Sequence, residues 1–352
     1  MKENDSDERP GSVYPPGQAD EMPVFMPRIN RILRRLIPVV CLGVLGNLAF
    51  SWYMTDRGNL FSWADISFRY LFLASVLALL PWAWHSARLS VWSRFFGIQV
   101  SGLNLLRIVV ATDVGGVMSP AVVGGTPFKM GMLVQQGFLP GQAAILTLLG
   151  QLEEALFFTC AIPVSLALTQ PWENPLWLRV GMFLTENRQA LLLGFAVLAG
   201  LALFLRKSPR VRRFLMRRFS LSEKWQRLAA DFREAFKLVY SKGWKPFLLC
   251  MLIITGQWIT RFSILLAVIL ALGIDADLFT IFFLQWMVFV AMLVVPTPGG
   301  TGTAETAFLL VYHALIPRAA VGPILAGWRL LTYYFMLLVG VGILFGTAQK
   351  TR

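Results

Sequence analysis

Long apolar stretches separated by short polar segments dominate this chain. A helix that crosses a bilayer needs about 20 mostly apolar residues. Stretches close to that length recur at residues 36–54, 67–84, 139–168, 189–205, 246–271 and 320–346. Because backbone polar groups inside lipid must be satisfied within a helix, the pattern predicts an all-α polytopic membrane protein with about six full spans.

Two further apolar segments, residues 101–138 and 278–317, are interrupted by runs rich in Gly and Pro. Each half is short for a full crossing. Irregular backbone at membrane depth is tolerated only where protein buries it or where it lines a polar cavity. We therefore predict two broken or re-entrant helical hairpins, at whose interruptions a site could form.

The two interruptions resemble each other, since both place Pro before Gly-Gly-Thr and a charged residue soon after, Lys129 in the first and Glu305 in the second. We interpret them as equivalent parts of an internal repeat. Basic loops stay in the cytoplasm. A loop expected at 85–100 carries Arg88 and Arg94 and no acid, and thirteen Lys and Arg lie in residues 206–245. By this charge rule the first hairpin enters from the cytoplasmic side and the second from the outside, which predicts an inverted-topology repeat.

The same patterns divide the chain into segments. Residues 1–27 are polar and Pro-rich, as in a disordered cytoplasmic tail. The two membrane halves are residues 28–205 and 246–348, joined by a basic, amphipathic cytoplasmic linker at 206–245. We expect an integral protein of a bacterial cytoplasmic (inner) membrane, with both termini in the cytoplasm.

Composition excludes several classes of protein. The 352 residues are 56% hydrophobic and 14% charged, against roughly 25% charged in soluble domains. The net charge of +13 lies beside apolar segments, so we expect it to face anionic lipid rather than nucleic acid. Two His and three Cys show no ligand spacing, so we expect no metal and no cofactor. Enzyme motifs are missing, and we expect no enzymatic activity.

The second interruption carries most of the candidate chemistry. Its glycines allow positive φ and close approach of the backbone, and the N–H groups of the helix that follows would favour an anion. A tight buried turn that only connects two helices is the alternative. Glu305, in the first turn of that helix, is either a functional carboxylate or a partner of the helix dipole. The candidate binding residues here are Pro298, Gly299, Gly300, Thr301, Gly302 and Glu305.

Charged residues inside other spans add to the candidates. Arg in a membrane core faces the bundle interior with a partner, and we expect Arg329 to pair with Glu305, near Tyr333, either as a lock or as part of a substrate site. In the first interruption Lys129 could contact a lipid phosphate or reach the interface, beside Gly124, Gly125 and Thr126. Possible proton carriers or ion pairs, which could also involve Arg107, are Asp113, Glu153, Glu154 and Arg261.

Two motifs resemble a known family. Pro298-Gly299-Gly300-Thr301-Gly302-x-x-Glu305, then Arg329-x-x-x-Tyr333-Tyr334 and Gly340, resembles the second-half signature of the lysylphosphatidylglycerol synthase transmembrane region, a group also described as flippase-like. Ser119-Pro120 with Gly124-Gly125-Thr126-Pro127-Phe128-Lys129 resembles the first-half signature. The family often has an acid where this chain has Thr126. The resemblance spans roughly residues 30–348.

The resemblance implies binding or translocation of an amphiphilic lipid: a phospholipid, a polyprenyl-phosphate-linked lipid or a hopanoid. Family members that confer antimicrobial resistance add a C-terminal aminoacyl-transfer domain. This chain ends at Arg352, so we expect no lysyl transfer. One alternative is a non-transporting accessory subunit for a lipid or glycolipid biosynthetic enzyme, docked through residues 206–245. Another is an intramembrane transferase using Glu305 or Glu153. The expected partners are membrane lipids and, in the accessory case, such an enzyme.

Overall fold

A computed structural model describes residues 66–117, 125–170, 189, 223–295, 297, 300–313 and 315–348. Every regular element in these ranges is a helix. In chain order they are α1 (Phe68–Phe95), α2 (Gly102–Val117), α3 (Gly125–Gln135), α4 (Pro140–Thr169), α5 (Glu223–Lys242), α6 (Trp244–Ala271), α7 (Leu278–Val294), α8 (Thr303–Tyr312), α9 (Arg318–Arg329), a π-helical segment (Leu330–Phe335) and α10 (Met336–Ala348). The predicted tail, the spans at 36–54 and 189–205, and Gly124, Pro298 and Gly299 lie outside the described residues.

Four helices are long and apolar enough to cross a membrane: Phe68–Phe95, Pro140–Thr169, Trp244–Ala271 and Arg318–Leu344. They coincide with the predicted spans at 67–84, 139–168, 246–271 and 320–346. The shorter pairs α2–α3 and α7–α8 occupy the two interrupted segments. The prediction of an all-α polytopic membrane protein is confirmed.

One predicted boundary was wrong. The sequence placed a cytoplasmic loop at residues 85–100, whereas α1 continues to Phe95. Arg88 is 3% exposed on this helix. Charged side chains normally end a membrane span, but a buried partner removes that constraint, and Arg88 has one.

Helices α1 and α6 form an antiparallel pair at the centre of the bundle. At one end the Ser67 N–H donates to the Ala271 carbonyl, with an N–O distance of 2.8 Å. In the middle, Trp84 Nε1 donates to Thr260 Oγ1 at 3.1 Å. Near the other end the Cys250 thiol lies 3.8 Å from the Arg88 carbonyl. The two helices therefore cross the bilayer in opposite directions.

The second half packs α6, α7, α8 and α9 around a large apolar cluster that includes Phe308, Tyr312 and Trp328. Some of the buried polar atoms here are hydrogen-bonded, which lowers the cost of placing them in an apolar interior, whereas Trp328 Nε1 and Gln285 Oε1 have no hydrogen-bond partner among the described residues. The Tyr312 hydroxyl donates to the Ile281 carbonyl at 3.1 Å, and Gln285 Nε2 donates to the Phe262 carbonyl at 3.0 Å. This packing fixes α8 and α9, which carry Glu305 and Arg329.

At the start of α7, Asp277 caps the helix by accepting the Thr280 N–H at 3.1 Å. Hydrogen bonds from Thr280 hold the pKa of the Asp277 carboxyl below its ordinary value, since they favour the charged form. The beginning of the second interrupted segment is thereby set at Leu278.

Candidate functional site

The second interruption is closed by its own hydrogen bonds. Gly300 and Gly302 adopt φ angles of 67° and 84°, a region that favours glycine. The Gly302 N–H donates to Glu305 Oε2 at 2.7 Å, and Thr303 Oγ1 donates to the Val295 carbonyl at 3.0 Å. Glycine has no hydroxyl, so only the Glu305 half of a capping box forms. Glu305 thus serves the helix start, as the simpler of the two interpretations expected.

Glu305 also forms the predicted pair with Arg329. Glu305 Oε1 accepts from Arg329 Nε at 2.8 Å, and the two residues are 6% and 2% exposed. The Arg329 guanidinium carbon lies 4.9 Å from the centre of the Tyr333 ring. A short ion pair in a dry interior is strongly held in place. The three residues therefore connect the start of α8 to the end of α9, which is the geometry of a lock.

The π-helical segment begins immediately after Arg329. Single-turn π segments interrupt membrane helices mostly at functional places. Here the wider turn carries Tyr333 and Tyr334, whose rings lie edge to face at 4.9 Å. The sequence showed no signal for this segment.

A second polar cluster lies in the first half; we call Arg88, Trp92, Lys129, Glu153 and Glu154 the first-half cluster. Arg88 reaches both acids, with Nη1 3.5 Å from Glu153 Oε2 and Nη2 3.4 Å from Glu154 Oε1. Trp92 Nε1 donates to Glu153 Oε1 at 2.8 Å. Glu153 is fully buried, whereas a third of the Glu154 side chain is exposed. The sequence expected Arg107, Lys129 or Arg261 as the partner and missed Arg88, which it had placed in a loop.

This cluster leaves hydrogen-bonding capacity unused. Arg88 Nη1 and Glu153 Oε2 form an ion pair but no hydrogen bond, and the nearby buried His85 Nε2 finds no hydrogen-bond partner in the described chain. Buried polar atoms are nearly always satisfied by protein or by ordered molecules. The cluster therefore differs from the closely paired Glu305 and Arg329.

Lys129 is the least satisfied charge of the first-half cluster. It lies in α3, is 7% exposed, and forms no hydrogen bond or ion pair with any residue that the structure describes. Gly150 of α4 makes room for it: a Cβ added there would lie 3.4 Å from Lys129 Nζ and 3.8 Å from Arg88 Nη2. Two cationic groups thus meet at one glycine surface inside the bundle.

Asp113 and Arg261 lie on the border of the same region. Asp113 Oδ2 accepts from Trp82 Nε1 at 2.8 Å and interacts electrostatically with Arg261, Glu154 and Lys129. Its side chain is exposed to solvent, so this border of the first-half cluster carries an accessible carboxylate.

Arg261 rests on aromatic rings, with its guanidinium carbon 5.5 Å from the centre of Trp258 and 5.3 Å from the centre of Phe289. Such contacts stabilise a cation by about 0.5–2 kcal/mol. In the part of the chain that the structure describes, no carboxylate forms an ion pair with it.

The structure thus divides the predicted site residues into two groups. Glu305, Arg329 and Tyr333 meet in the second half with Gly300 and Gly302, while Thr301 is exposed beside them. Lys129, Glu153, Glu154 and Asp113 belong to the first half, and Arg261, on α6 of the second half, interacts electrostatically with Asp113. Gly125 lies against the Thr112 carbonyl of α2, where a Cβ would overlap, and Thr126 is partly buried one residue later. The glycine at the first interruption is therefore a packing residue.

Arg88, Trp82 and Trp92 were missed as site residues. Their common signal was present in the sequence: one helical face from Trp82 to Trp92 carries tryptophans and a basic residue where a loop was expected. Indole N–H groups need partners when buried, and both find carboxylates, Asp113 and Glu153.

Comparison with known proteins agrees with this architecture. Residues 36–340 match the family described as the lysylphosphatidylglycerol synthase TM region. The chain is similar to a UPF0104 membrane protein of Archaeoglobus fulgidus, with 25% identity over 283 residues that cover 77% of this chain and 84% of the relative. The matched region includes both interruptions and both clusters, and the chain belongs to the family of the lysylphosphatidylglycerol synthase transmembrane region.

Proposed function

We propose that this protein is a flippase-like lipid transporter that binds the polar headgroup of an amphiphilic lipid in the first-half cluster and moves it across the bilayer. The substrate is a phospholipid, a polyprenyl-phosphate-linked lipid or a hopanoid. The proposal involves no covalent step, metal or cofactor.

The observation that carries the proposal is Lys129, a residue that is 7% exposed and yet forms no hydrogen bond or ion pair with any residue that the structure describes. Burying a charge without a partner costs several kcal/mol. A lysine is kept in such a place when its charge has a use, and a primary ammonium is a common point-charge ligand for phosphate. Arg88 Nη2 lies against the same Gly150 surface as Lys129 Nζ, so the guanidinium would add a second cationic group to the site.

The helix surfaces suit the rest of such a ligand. Leu248 and Leu252 of α6 are 58% and 71% exposed, as expected of lipid-facing positions. Acyl chains could remain in the bilayer while only the headgroup enters the bundle beside the exposed Asp113. Interior polar residues of membrane helices commonly mark substrate pathways.

The second half would serve this function as the rigid side of the site. Glu305 and Arg329 hold the interruption closed, and alternating access would come from motion between two inverted halves. We infer that the protein lies in the cytoplasmic (inner) membrane with both termini in the cytoplasm, because the linker at 206–245 is so basic.

The decisive variant is Lys129→Met, which keeps the length of the side chain and removes its charge. Because the charge is unpaired in the fold, we expect the variant to be at least as heat-stable as the wild-type protein. We expect it to lose most of the lipid that co-purifies with the wild-type protein in a native mass spectrum. In proteoliposomes it should lose most of the acceleration of lipid flipping.

Arg94→Met is the matched control, because Arg94 is an exposed cation at the end of α1. It should keep both lipid binding and flipping. A wild-type protein that accelerates the flipping of no lipid class over protein-free vesicles would refute transport. If it still retained one lipid class, lost in Lys129→Met, the accessory-subunit function would be favoured. A nonselective lipid mixture, unchanged in Lys129→Met, would refute the site itself.

A further inference from the structure

Helix α5 is held against the membrane-boundary ends of two spans. At the start of α4, Gly141 packs against the backbone of Asp231 and Phe232, and a Cβ there would overlap both. Ala235 is buried in the same contact region. At its other end α5 turns into α6 at Gly243, where a Cβ would overlap the Val239 carbonyl. Because both spans begin here, α5 lies at the level of the bilayer surface.

The other side of α5 carries an exposed aromatic stripe. Phe236 and Tyr240, four residues apart, lie along one side of α5, and Trp244 is the first residue of α6, directly after the turn at Gly243. They are 54%, 84% and 60% exposed. The rings of Phe236 and Tyr240 stack with their centres 6.3 Å apart. Aromatic residues with a polar edge are enriched at the membrane–water interface.

Arg233 and Lys237 lie beside this stripe on α5, and Lys245 follows Trp244; all three basic side chains are exposed. Lys245 Nζ lies 5.4 Å from the centre of the Trp244 ring, so a cation and an indole share one surface. Between residues 230 and 245, Glu234 is the exposed acid. The side facing α4 is different, since burial there and the nearby Glu234 raise the pKa of the Asp231 carboxyl.

We propose that the aromatic–basic face formed by α5 and the start of α6, defined as Arg233, Phe236, Lys237, Tyr240, Trp244 and Lys245, binds the anionic phospholipid headgroups of the adjoining leaflet. Each basic side chain near an anionic surface contributes about 1 kcal/mol, and the rings enter the headgroup region. This surface is separate from Lys129, so the proposal does not rest on lipid transport. It assigns a lipid contact that is distinct from any cargo.

Charge complementarity and position favour a lipid surface over a protein partner. The aromatic rings and ammonium groups lie at the membrane-boundary ends of α4 and α6, where lipid headgroups surround the protein. Since α5 is packed backbone to backbone on α4, lipid bound to this face would also stabilise the helix that carries Glu153 and Glu154.

The test uses the full chain in vesicles of phosphatidylcholine, with and without phosphatidylglycerol. A nitroxide is attached at Ser241→Cys, an exposed position on α5, after replacement of Cys41, Cys160 and Cys250. We expect phosphatidylglycerol to lower the collision rate of the label with a water-soluble nickel chelate and to raise its collision rate with oxygen. The thermal transition of the protein should rise in the same vesicles.

Arg233→Glu/Lys237→Glu/Lys245→Glu should lose both responses, whereas Arg94→Glu, a reversal at an exposed position of α1, should keep them. Phe236→Ala/Tyr240→Ala should reduce the change in depth while leaving the protein folded. A label that stays equally accessible to nickel in both kinds of vesicle would overturn the proposal and leave the face free for a protein partner. Equal responses in the charge-reversed and control variants would overturn it as well.

Discussion

At the scale of single residues, the same two side-chain types form two different kinds of ion pair. Glu305 and Arg329 meet at 2.8 Å, and Glu305 also satisfies a backbone N–H. Arg88 instead divides itself between Glu153 and Glu154 at 3.4–3.5 Å and leaves donors and acceptors unused. The first arrangement is suited to holding the fold, and the second can accept a ligand.

Breaking the Glu305–Arg329 pair should therefore cost stability in a characteristic way. Removing one partner leaves the other charge buried, which typically costs about 3–5 kcal/mol. We expect Glu305→Gln and Arg329→Met each to lower the thermal transition strongly. The double variant should recover much of the loss, because no charge then remains unpaired. Thermal unfolding in detergent, followed by the loss of monodisperse protein, measures all three.

The same variants distinguish a lock from a substrate site. A lock predicts that the double variant, once folded, keeps lipid retention close to that of the wild-type protein. A double variant as stable as the wild-type protein but free of bound lipid would contradict the lock and move the headgroup to the second half.

Sequence reasoning succeeded for this pair and failed for Arg88. Glu305 and Arg329 lie inside segments whose apolar character is unmistakable, so each had to find an opposite charge. Arg88 follows a tryptophan-rich run of the kind found at the end of a membrane span. A basic residue just beyond the end of a span agrees with the positive-inside rule, so its position did not suggest burial. Its partner lies 65 residues away at Glu153, and that distance in sequence hides the contact.

At the scale of helices, glycines set the contacts that the polarity pattern cannot show. Gly141 brings α4 against the backbone of α5, whereas Gly131 of α3 has open space where its Cβ would be. The sequence predicted α4 from its apolar length and α5 from its amphipathic spacing. It could not predict their docking, because a close backbone approach leaves no periodic signal.

The two glycines make a matched pair of substitutions. Gly141→Ala should lower stability by about 1–3 kcal/mol, since the added methyl must displace packed backbone. Gly131→Ala should raise stability by about 0.5–1 kcal/mol, because alanine is the better helix former. Thermal unfolding of the two variants measures the difference.

Proteolysis locates the effect of these substitutions. Gly141→Ala should expose α5 to cleavage at its lysines and arginines before the protein unfolds, and Gly131→Ala should not. Equal cleavage of the two variants would mean that α5 is held elsewhere.

At the scale of the whole molecule, the antiparallel crossing of α1 and α6 sets the relation between the halves. Each of these helices precedes an interrupted pair, α2–α3 after α1 and α7–α8 after α6. Opposite directions of α1 and α6 are what an inverted repeat requires. The charge pattern predicted this relation from loops alone, and the repeat remains a prediction that sidedness can decide.

Single cysteines, introduced after replacement of the native Cys41, Cys160 and Cys250, can determine on which side of the membrane each loop lies. The end of α1 lies beside the start of α6, and the start of α1 lies beside the end of α6. Arg94→Cys and Ser241→Cys should therefore react with a membrane-impermeant maleimide from the same side, and Asp275→Cys from the opposite side. In inside-out membrane vesicles the first two should react and the third should not, because the basic residues of α5 hold that side in the cytoplasm.

Reaction of position 275 together with position 241 would contradict both the crossing of α6 and the inverted arrangement. If position 275 reacted in inside-out vesicles and positions 94 and 241 did not, the inverted repeat would stand and only its orientation in the membrane would be reversed.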